Sequence, residues 1–360
     1  MKTRLAILMI VVLAAAAPLI AQVVKVDEPG VCLACHDDIQ VELKKKSPHT
    51  AFAEGKCSDC HNPHASRHAA LLKENSGELC QSCHEDLKQV ATLPSKHQPA
   101  ANGECLSCHD PHASDFRNQL VQSQGELCQS CHPAVADWLK QAQVHSPVAN
   151  RNCSQCHAPH GSEHQGILAK AVPQLCFDCH PQNQQFMTVH KGYDLADADC
   201  STCHDPHASS HRGLLMANQH APFESGECSE CHAGGGKSFA IGGSVADICL
   251  KCHEDQAGAR KAEFHAHIDG DRSCTNCHNP HASNVGALMA SSQQTLCTRC
   301  HFTDVPAKDK PKYMTHPGQE CSSCHAPHGA DNARYLVNSD VMTMCRTCHA
   351  DVHRNSHPMG

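Results

Sequence analysis

Large aromatic side chains are scarce in this chain. Its 360 residues hold one tryptophan, Trp138, with three tyrosines and eight phenylalanines. A chain of this length ordinarily buries a sizeable side-chain core, and there is too little here to build one. Basic charge is not in excess either: the formal net charge is −8, which argues against nucleic acid as a partner. Alternating apolar and polar strands of the kind that close a membrane barrel are missing. The one long apolar run, Leu5 to Ile20, follows Lys2 and Arg4 and ends at Ala21. It is short for a spanning helix and reads as a secretory signal over residues 1–22. The mature chain is expected to start near Gln22 or Val23, exported and soluble.

Cysteine, in contrast, is abundant: 28 residues, every one in a C-x-x-C-H motif. The pairs are Cys32 and Cys35, Cys57 and Cys60, Cys80 and Cys83, Cys105 and Cys108, and Cys128 and Cys131. They continue with Cys153 and Cys156, Cys176 and Cys179, Cys200 and Cys203, Cys228 and Cys231, and Cys249 and Cys252. The last four are Cys274 and Cys277, Cys297 and Cys300, Cys321 and Cys324, and Cys345 and Cys348. No thiol is left for a disulfide, a lipid anchor or a nucleophile. Zinc knuckles also use C-x-x-C pairs, but they need no histidine directly after the second cysteine. Here it is present fourteen times in fourteen. Two thiols at that spacing add across the two vinyl groups of a haem, and the adjacent histidine reaches the iron. The expected cofactors are therefore fourteen covalently bound c-type haems. Their proximal ligands are His36, His61, His84, His109, His132, His157, His180, His204, His232, His253, His278, His301, His325 and His349.

The first-cysteine steps run 25, 23, 25, 23, 25, 23 from Cys32 to Cys176, a repeat of 48 residues. A fixed period marks stacked units that share one continuous core. Two kinds of motif alternate. The first kind has a leucine before it, as in Gly77-Glu78-Leu79-Cys80, and a short helix is expected after it, for example over 134–143. The second kind continues as Cys-His-x-Pro-His, with small residues and then an apolar pair such as Leu71-Leu72. Its proline blocks a long helix. The units are 32/57, 80/105, 128/153, 176/200, 249/274 and 297/321, with the motifs at Cys228 and Cys345 outside the pairing. A glycine-rich tract over 233–244 suggests a hinge. It divides an N-terminal array over 23–220, with eight haems in four doubled repeats, from a C-terminal array over 221–360 with six. Without the 22 signal residues there are roughly 24 residues per motif. The expected fold is mostly irregular with short α-helices and almost no β structure, an extended tandem-repeat array with a haem-dominated core.

Nineteen of the 33 histidines are not proximal. Six sit in the Pro-His tail: His64, His112, His160, His207, His281 and His328. A second slot lies upstream of the second-kind motifs: His49, His97, His145, His190, His220, His265 or His267, and His316. His357, in Ser356-His357-Pro358, resembles that slot at the end of the chain, with His353 as the alternative. Six tails and eight slots make one distal ligand for each haem. All fourteen irons are thus expected to be bis-histidine. His68, His164 and His211 share an offset that other units do not fill and read as surface residues. Seven methionines lie beyond the signal and keep no register with the motifs. Bis-histidine ligation predicts low potentials, since methionine ligation raises them.

His109 and His112 have α-carbons at most roughly 10 Å apart. A tail histidine that close cannot easily reach round to the far face of its own iron, so it is expected to serve a neighbour. Repetition then gives a closely spaced row that passes electrons with no substrate pocket.

The alternation of Leu-Cys-x-x-Cys-His with Cys-x-x-Cys-His-Asn/Asp/Ala-Pro-His-Ala/Gly resembles the doubled-CXXCH multihaem c-type cytochromes over nearly the whole mature chain. Within that group the stretches 274–283, 173–180 and 345–358 look most like the periplasmic decahaem conduits of porin–cytochrome complexes. The resemblance implies an extended wire in the periplasm or at the outer membrane, plugged into an outer-membrane β-barrel porin. Its redox partners would be an inner-membrane or periplasmic electron donor and an extracellular cytochrome. This chain departs from that group in having fourteen motifs rather than ten and an unpaired motif at Cys228. A soluble periplasmic carrier or an extracellular filament is the second reading. A multihaem reductase of a small anion is the third. It would need an iron with an open face, and the irregular surroundings of Cys228, with His220 before it, make that motif the place to look. The reading preferred on the histidine count is an electron-transfer protein, not an enzyme.

Overall fold

A computed structural model of the chain describes residues 27–233, 239–257, 274–301 and 319–349. The N-terminal signal and His265, His267, His316, His353 and His357 lie outside the described residues. Each motif is one helical turn. In all fourteen the histidine N–H donates to the carbonyl of the first cysteine at 2.9–3.1 Å.

First-kind motifs sit at the end of short α-helices: Glu28–Leu33, Ser76–Cys83, Gln124–Cys131, Val172–Phe177, Val245–Leu250, Gln293–Thr298 and Val341–Arg346. The helix therefore runs into the motif as well as following it. In four of them a polar side chain five positions before the first cysteine caps the start. Asn75 accepts from the N–H of Glu78, Ser244 from Asp247, Ser292 from Thr295 and Asp340 from Met342, which satisfies helix N–H groups that have no partner in the first turn. After the Cys128 motif a second helix, Ala134–Trp138, is shorter than the ten residues expected.

Second-kind motifs, with which the tail-less motif at Cys228 is grouped by its shape, form a single turn, mostly 3₁₀: Cys57–Cys60, Cys105–Ser107, Cys153–Gln155, Cys200–Thr202, Cys228–Glu230, Cys274–Asn276 and Cys321–Ser323. The chain then leaves extended and returns through a tight loop. His61 bridges Leu72, His109 Leu120, His157 Leu168, His204 Leu215, His278 Met289 and His325 Leu336. At the loop tip two successive residues take left-handed φ: Ala70 and Leu71, Asn118 and Gln119, Gly166 and Ile167, Gly213 and Leu214, Ala287 and Leu288, Arg334 and Tyr335. For residues other than glycine this costs about 1–2 kcal/mol each, offset by the hydrogen bonds that the closed loop makes.

Among the described residues strand is reduced to four antiparallel two-residue pairs, each joining a slot segment to a tail segment. Pro48 faces Ala113, Lys96 faces Gly161, Val144 faces Ala208 and Gln219 faces Ala282. Most buried residues are small and belong to these pairs and tails: Ala113 and Ala282 are 0% exposed, and Ala208, Ala330, Ser114, Ser209 and Ser283 are also buried, beside the larger Val90 and Leu296. Among the described residues no large side chain is fully buried. The small residues after the tail histidine thus form packed centres only two residues wide, at Ala113-Ser114, Ala208-Ser209 and Ala282-Ser283.

The chain divides into two compact units, Met1–Thr92 with Gln98–Ser123, and Leu93–His97 with Gln124–Gly360. Of the glycine-rich tract, residues 234–238 lie outside the described residues. No described helix is long and apolar enough to cross a membrane.

Candidate haem-binding sites

Within the packed pairs of motifs the first cysteines meet. Side-chain contacts join Cys32 to Cys57, Cys80 to Cys105, Cys128 to Cys153, Cys176 to Cys200, Cys249 to Cys274 and Cys297 to Cys321. These are the six pairs given by the alternating spacing. Burial, with the neighbouring sulfur adding to it, pushes the Cys80, Cys249 and Cys297 thiols up to about 11. None of the 28 cysteines is in a disulfide. Among the described residues no group of three His, Cys, Asp or Glu side chains converges as a zinc site would require.

Each second-kind proximal histidine has its ring fixed from behind. His61 Nδ1 donates to the carbonyl of Ala70 at 2.8 Å, His109 to Asn118 at 2.9 Å, His157 to Gly166 at 2.9 Å and His204 to Gly213 at 2.7 Å. His278 and His325 do the same with Ala287 at 2.9 Å and Arg334 at 3.0 Å, and His232 with Phe239 at 3.0 Å. A carbonyl only accepts, so the proton sits on Nδ1 and the Nε2 lone pair is left to bind a metal. That is the second-sphere contact typical of ligating histidines. In six of the seven the acceptor is the first left-handed residue of the loop, so the backbone strain serves to aim this carbonyl.

Four of the six tail histidines are aimed by the residue directly after the proximal histidine. Asp110 Oδ1 accepts from the N–H of His112 at 2.9 Å and Asp205 Oδ1 from that of His207 at 2.9 Å. Asn62 and Asn279 hold His64 and His281 in the same way at 3.2 Å. The few aromatic residues pack against such rings: Phe52 on His112 at 5.0 Å, Phe223 on His281 at 5.6 Å, and Trp138 flat on His207 at 4.0 Å.

Slot and tail histidines are then tied together. The N–H of His49 donates to the carbonyl of His112 at 2.8 Å, His97 to His160 at 3.1 Å, His145 to His207 at 3.0 Å and His220 to His281 at 2.9 Å. Burial lowers the pKa of His49, His112, His204, His207, His281 and His328. Asp110 and Asp205 pull the other way on His112 and His207. The neutral, metal-binding form of these rings is therefore favoured.

Nine described histidine pairs face one another at nearly constant distance. Slot histidines meet first-kind motifs: His49 with His84 at 6.1 Å, His97 with His132 at 6.1 Å, His145 with His180 at 6.0 Å and His220 with His253 at 6.1 Å. Tail histidines meet second-kind motifs: His112 with His61 at 6.1 Å, His207 with His157 at 6.0 Å, His281 with His232 at 5.9 Å and His328 with His278 at 5.9 Å. The ninth pair is His190 with His204 at 6.2 Å. Direct stacking looks different, as the 4.0 Å of Trp138 on His207 shows. Two metal–nitrogen bonds of about 2.0–2.1 Å, with about 1.1 Å from nitrogen to ring centre on each side, require roughly 6.2–6.4 Å between two axial imidazoles. The residues present therefore fit a covalently attached haem at each of these pairs. His36 and His64 are both exposed.

The motif at Cys228 is regular in this respect, since His232 and His220 pair as their counterparts do. The departure lies instead at Cys200, whose histidine faces a residue only fourteen positions upstream.

Paired thiols beside a metal-ready histidine, repeated along the chain, define a multihaem c-type cytochrome. The sequence agrees with that class: residues 49–89, 97–137, 145–185, 194–219, 220–258, 265–305 and 316–354 match the doubled CXXCH motif family. The chain belongs to that family. Its paired C-x-x-C-H motifs indicate covalent c-type haems. It is also 28% identical over 112 residues to the multiheme cytochrome MtrA of Shewanella baltica (strain OS185), an alignment covering 27% of this chain and 33% of that protein. The chain thus spans about a third of that relative's length. Six of the seven matched segments begin on a slot histidine, and the segment 194–219 holds a single motif.

Proposed function

We propose that the chain carries fourteen bis-histidine haems in closely spaced rows and moves electrons along them outside the cytoplasm, as a conduit across the periplasm and outer membrane. The observation that carries this reading is the set of histidine pairs at 5.9–6.2 Å, linked to one another by slot-to-tail backbone bonds. Each haem, once bound, supplies a one-electron iron couple. The protein's own residues set everything else. The cysteines fix each ring edge to a helical turn. The carbonyls of the left-handed loops hold the proximal imidazoles in one tautomer and enrich them in electron density, which favours low potentials.

The same register assigns four of the remaining five ligands. His64, the first tail, has no earlier second-kind motif to serve and completes the Cys32 haem. His316 serves His349, and His265 or His267 serves His301. His357 or His353 serves His325.

The secretory signal and the likeness to MtrA support an exported protein in the periplasm or at the outer membrane, with a β-barrel porin as partner, an inner-membrane or periplasmic donor on one side and an extracellular cytochrome on the other. The test is a haem-stained native gel of gently detergent-extracted outer membranes, with mass spectrometry of whatever co-migrates. The account expects a complex with a β-barrel protein. Release as free protein or as fibres would instead assign a soluble carrier or an extracellular filament.

A further inference from the structure

The motif at Cys200 breaks the pairing rule twice, and the two breaks compensate. Tail histidines face the second-kind motif before their own: His207 faces His157, His281 faces His232 and His328 faces His278. By that rule His204 should be served from the tail of the Cys228 motif. That motif has none, because His232 runs directly into Ala233 and Gly234. Slot histidines face the next first-kind motif. His190 has no such motif of its own, since Cys200 is followed by another second-kind motif and the next first-kind motif, at Cys249, faces His220. An iron lacking its distal ligand and a ligand lacking its iron thus lie side by side, and the rings of His190 and His204 are 6.2 Å apart.

His190 is held differently from the other slots. His145 and His220 are fixed by strand pairs and by their N–H bonds to tail carbonyls. The N–H of His190 donates to Phe186 within its own helix, Gln184–Val189, and its Nδ1 donates to the same carbonyl at 2.9 Å. The helix is exposed, Val189 to 67%. Lys191 follows at φ +54° and Gly192 at +76°, so the ligand sits between a short helix and a left-handed turn. The ties beyond come from side chains: Lys191 Nζ donates to the carbonyl of Gly226 at 2.8 Å, and Tyr193 contacts Cys228 and stacks on Phe239 at 5.2 Å. The His190 and His204 planes cross at 66°, against 9–35° for seven of the other eight pairs.

We infer that His190 is a locally supplied distal ligand of the Cys200 haem, and that it is the ligand a small diatomic molecule displaces first. This inference rests on the bis-histidine reading above. It gives an electron-transfer array one point of access for an exogenous ligand.

The test is carbon monoxide titration of the reduced, fully loaded protein, with the spin state of the oxidised protein read in parallel. The wild type is expected to bind carbon monoxide at one haem per chain, with the other thirteen of the fourteen motif haems unreactive. His190→Ala should make one haem high-spin, and added imidazole should return it to low-spin. His145→Ala is the control: it should add a second reactive haem without removing the first. If His190→Ala does not mature, His190→Met should convert one haem to a methionine–histidine signature. Wild-type protein that binds no carbon monoxide, or a His190 variant with every haem unchanged, overturns this inference and leaves the bis-histidine array intact. Reaction at several wild-type haems would overturn the array itself.

Discussion

The N–H of His145 donates to the carbonyl of His207 at 3.0 Å. His145 faces His180 and His207 faces His157, so one backbone hydrogen bond connects the axial positions of two motifs 23 residues apart. The strand pair of Val144 with Ala208 supports that bond, and Asp205 fixes the tail end. His220 and His281 repeat the arrangement with their own motifs.

Because the link is made by backbone, removing one imidazole should open one iron and spare the other. His207→Ala is expected to turn only the Cys153 haem high-spin, and His145→Ala only the Cys176 haem. The double variant should give two. Electron paramagnetic resonance of the oxidised proteins counts them. Loss of several low-spin haems from either single change would mean that the pairs are not independent ligand sets.

Trp138 lies flat on His207 at 4.0 Å with planes 3° apart, and His207 is itself 9° from parallel to His157. The indole sets the ring plane. Trp138→Phe should preserve it. Trp138→Ala should shift the low-spin g values of one haem and destabilise the protein by roughly 1–3 kcal/mol, the loss of a half-buried aromatic contact. An unchanged resonance spectrum would remove Trp138 from any role in ligand orientation.

Ser283 is 4% exposed. Its Oγ donates to the carbonyl of Met289 and accepts from the N–H of Val285 at 2.9 Å. Ser283→Ala leaves both backbone groups without this partner and should cost about 1–3 kcal/mol, seen as a lower denaturation midpoint with the haem spectrum unaltered. A midpoint equal to wild type would show that the hydroxyl does not hold the loop closed.

Gly213 has φ +72°, and a Cβ added there would meet nothing within 4 Å. Gly213→Ala therefore isolates the conformational cost of the left-handed turn, about 1 kcal/mol. Ala287 takes the same place at φ +54°, so Ala287→Gly should cost little, since relief of strain offsets the greater freedom of the unfolded chain. Thermal midpoints of the two variants should differ in that order. Equal losses would place the effect in packing rather than backbone strain.

The motif cysteines and histidines were legible in the sequence because covalent attachment demands contiguous residues, and contiguity survives in one dimension. The helix starts at Asn75, Ser244, Ser292 and Asp340 were equally visible as polar residues at one fixed offset, yet the helix was expected after the motif rather than into it. The aiming carbonyls were not legible. Ala70, Asn118, Gly166 and Arg334 share a backbone conformation but no side chain, and only the folded loop brings their oxygens to the histidines. Partner choice was partly legible: sequence proximity already sent His112 away from its own iron, but that its target is His61 follows from strand pairs two residues long. The compensation at Cys200 needed the pairing rule first, which is why Cys228 looked like the irregular motif.

The account stands most directly on near-infrared magnetic circular dichroism of the oxidised, purified protein, with the intensity expressed per chain. It predicts the bis-imidazole charge-transfer band at fourteen haem equivalents, with no methionine–histidine band and no high-spin contribution. A total well short of fourteen, or a substantial share of methionine-ligated or high-spin haem, would contradict it.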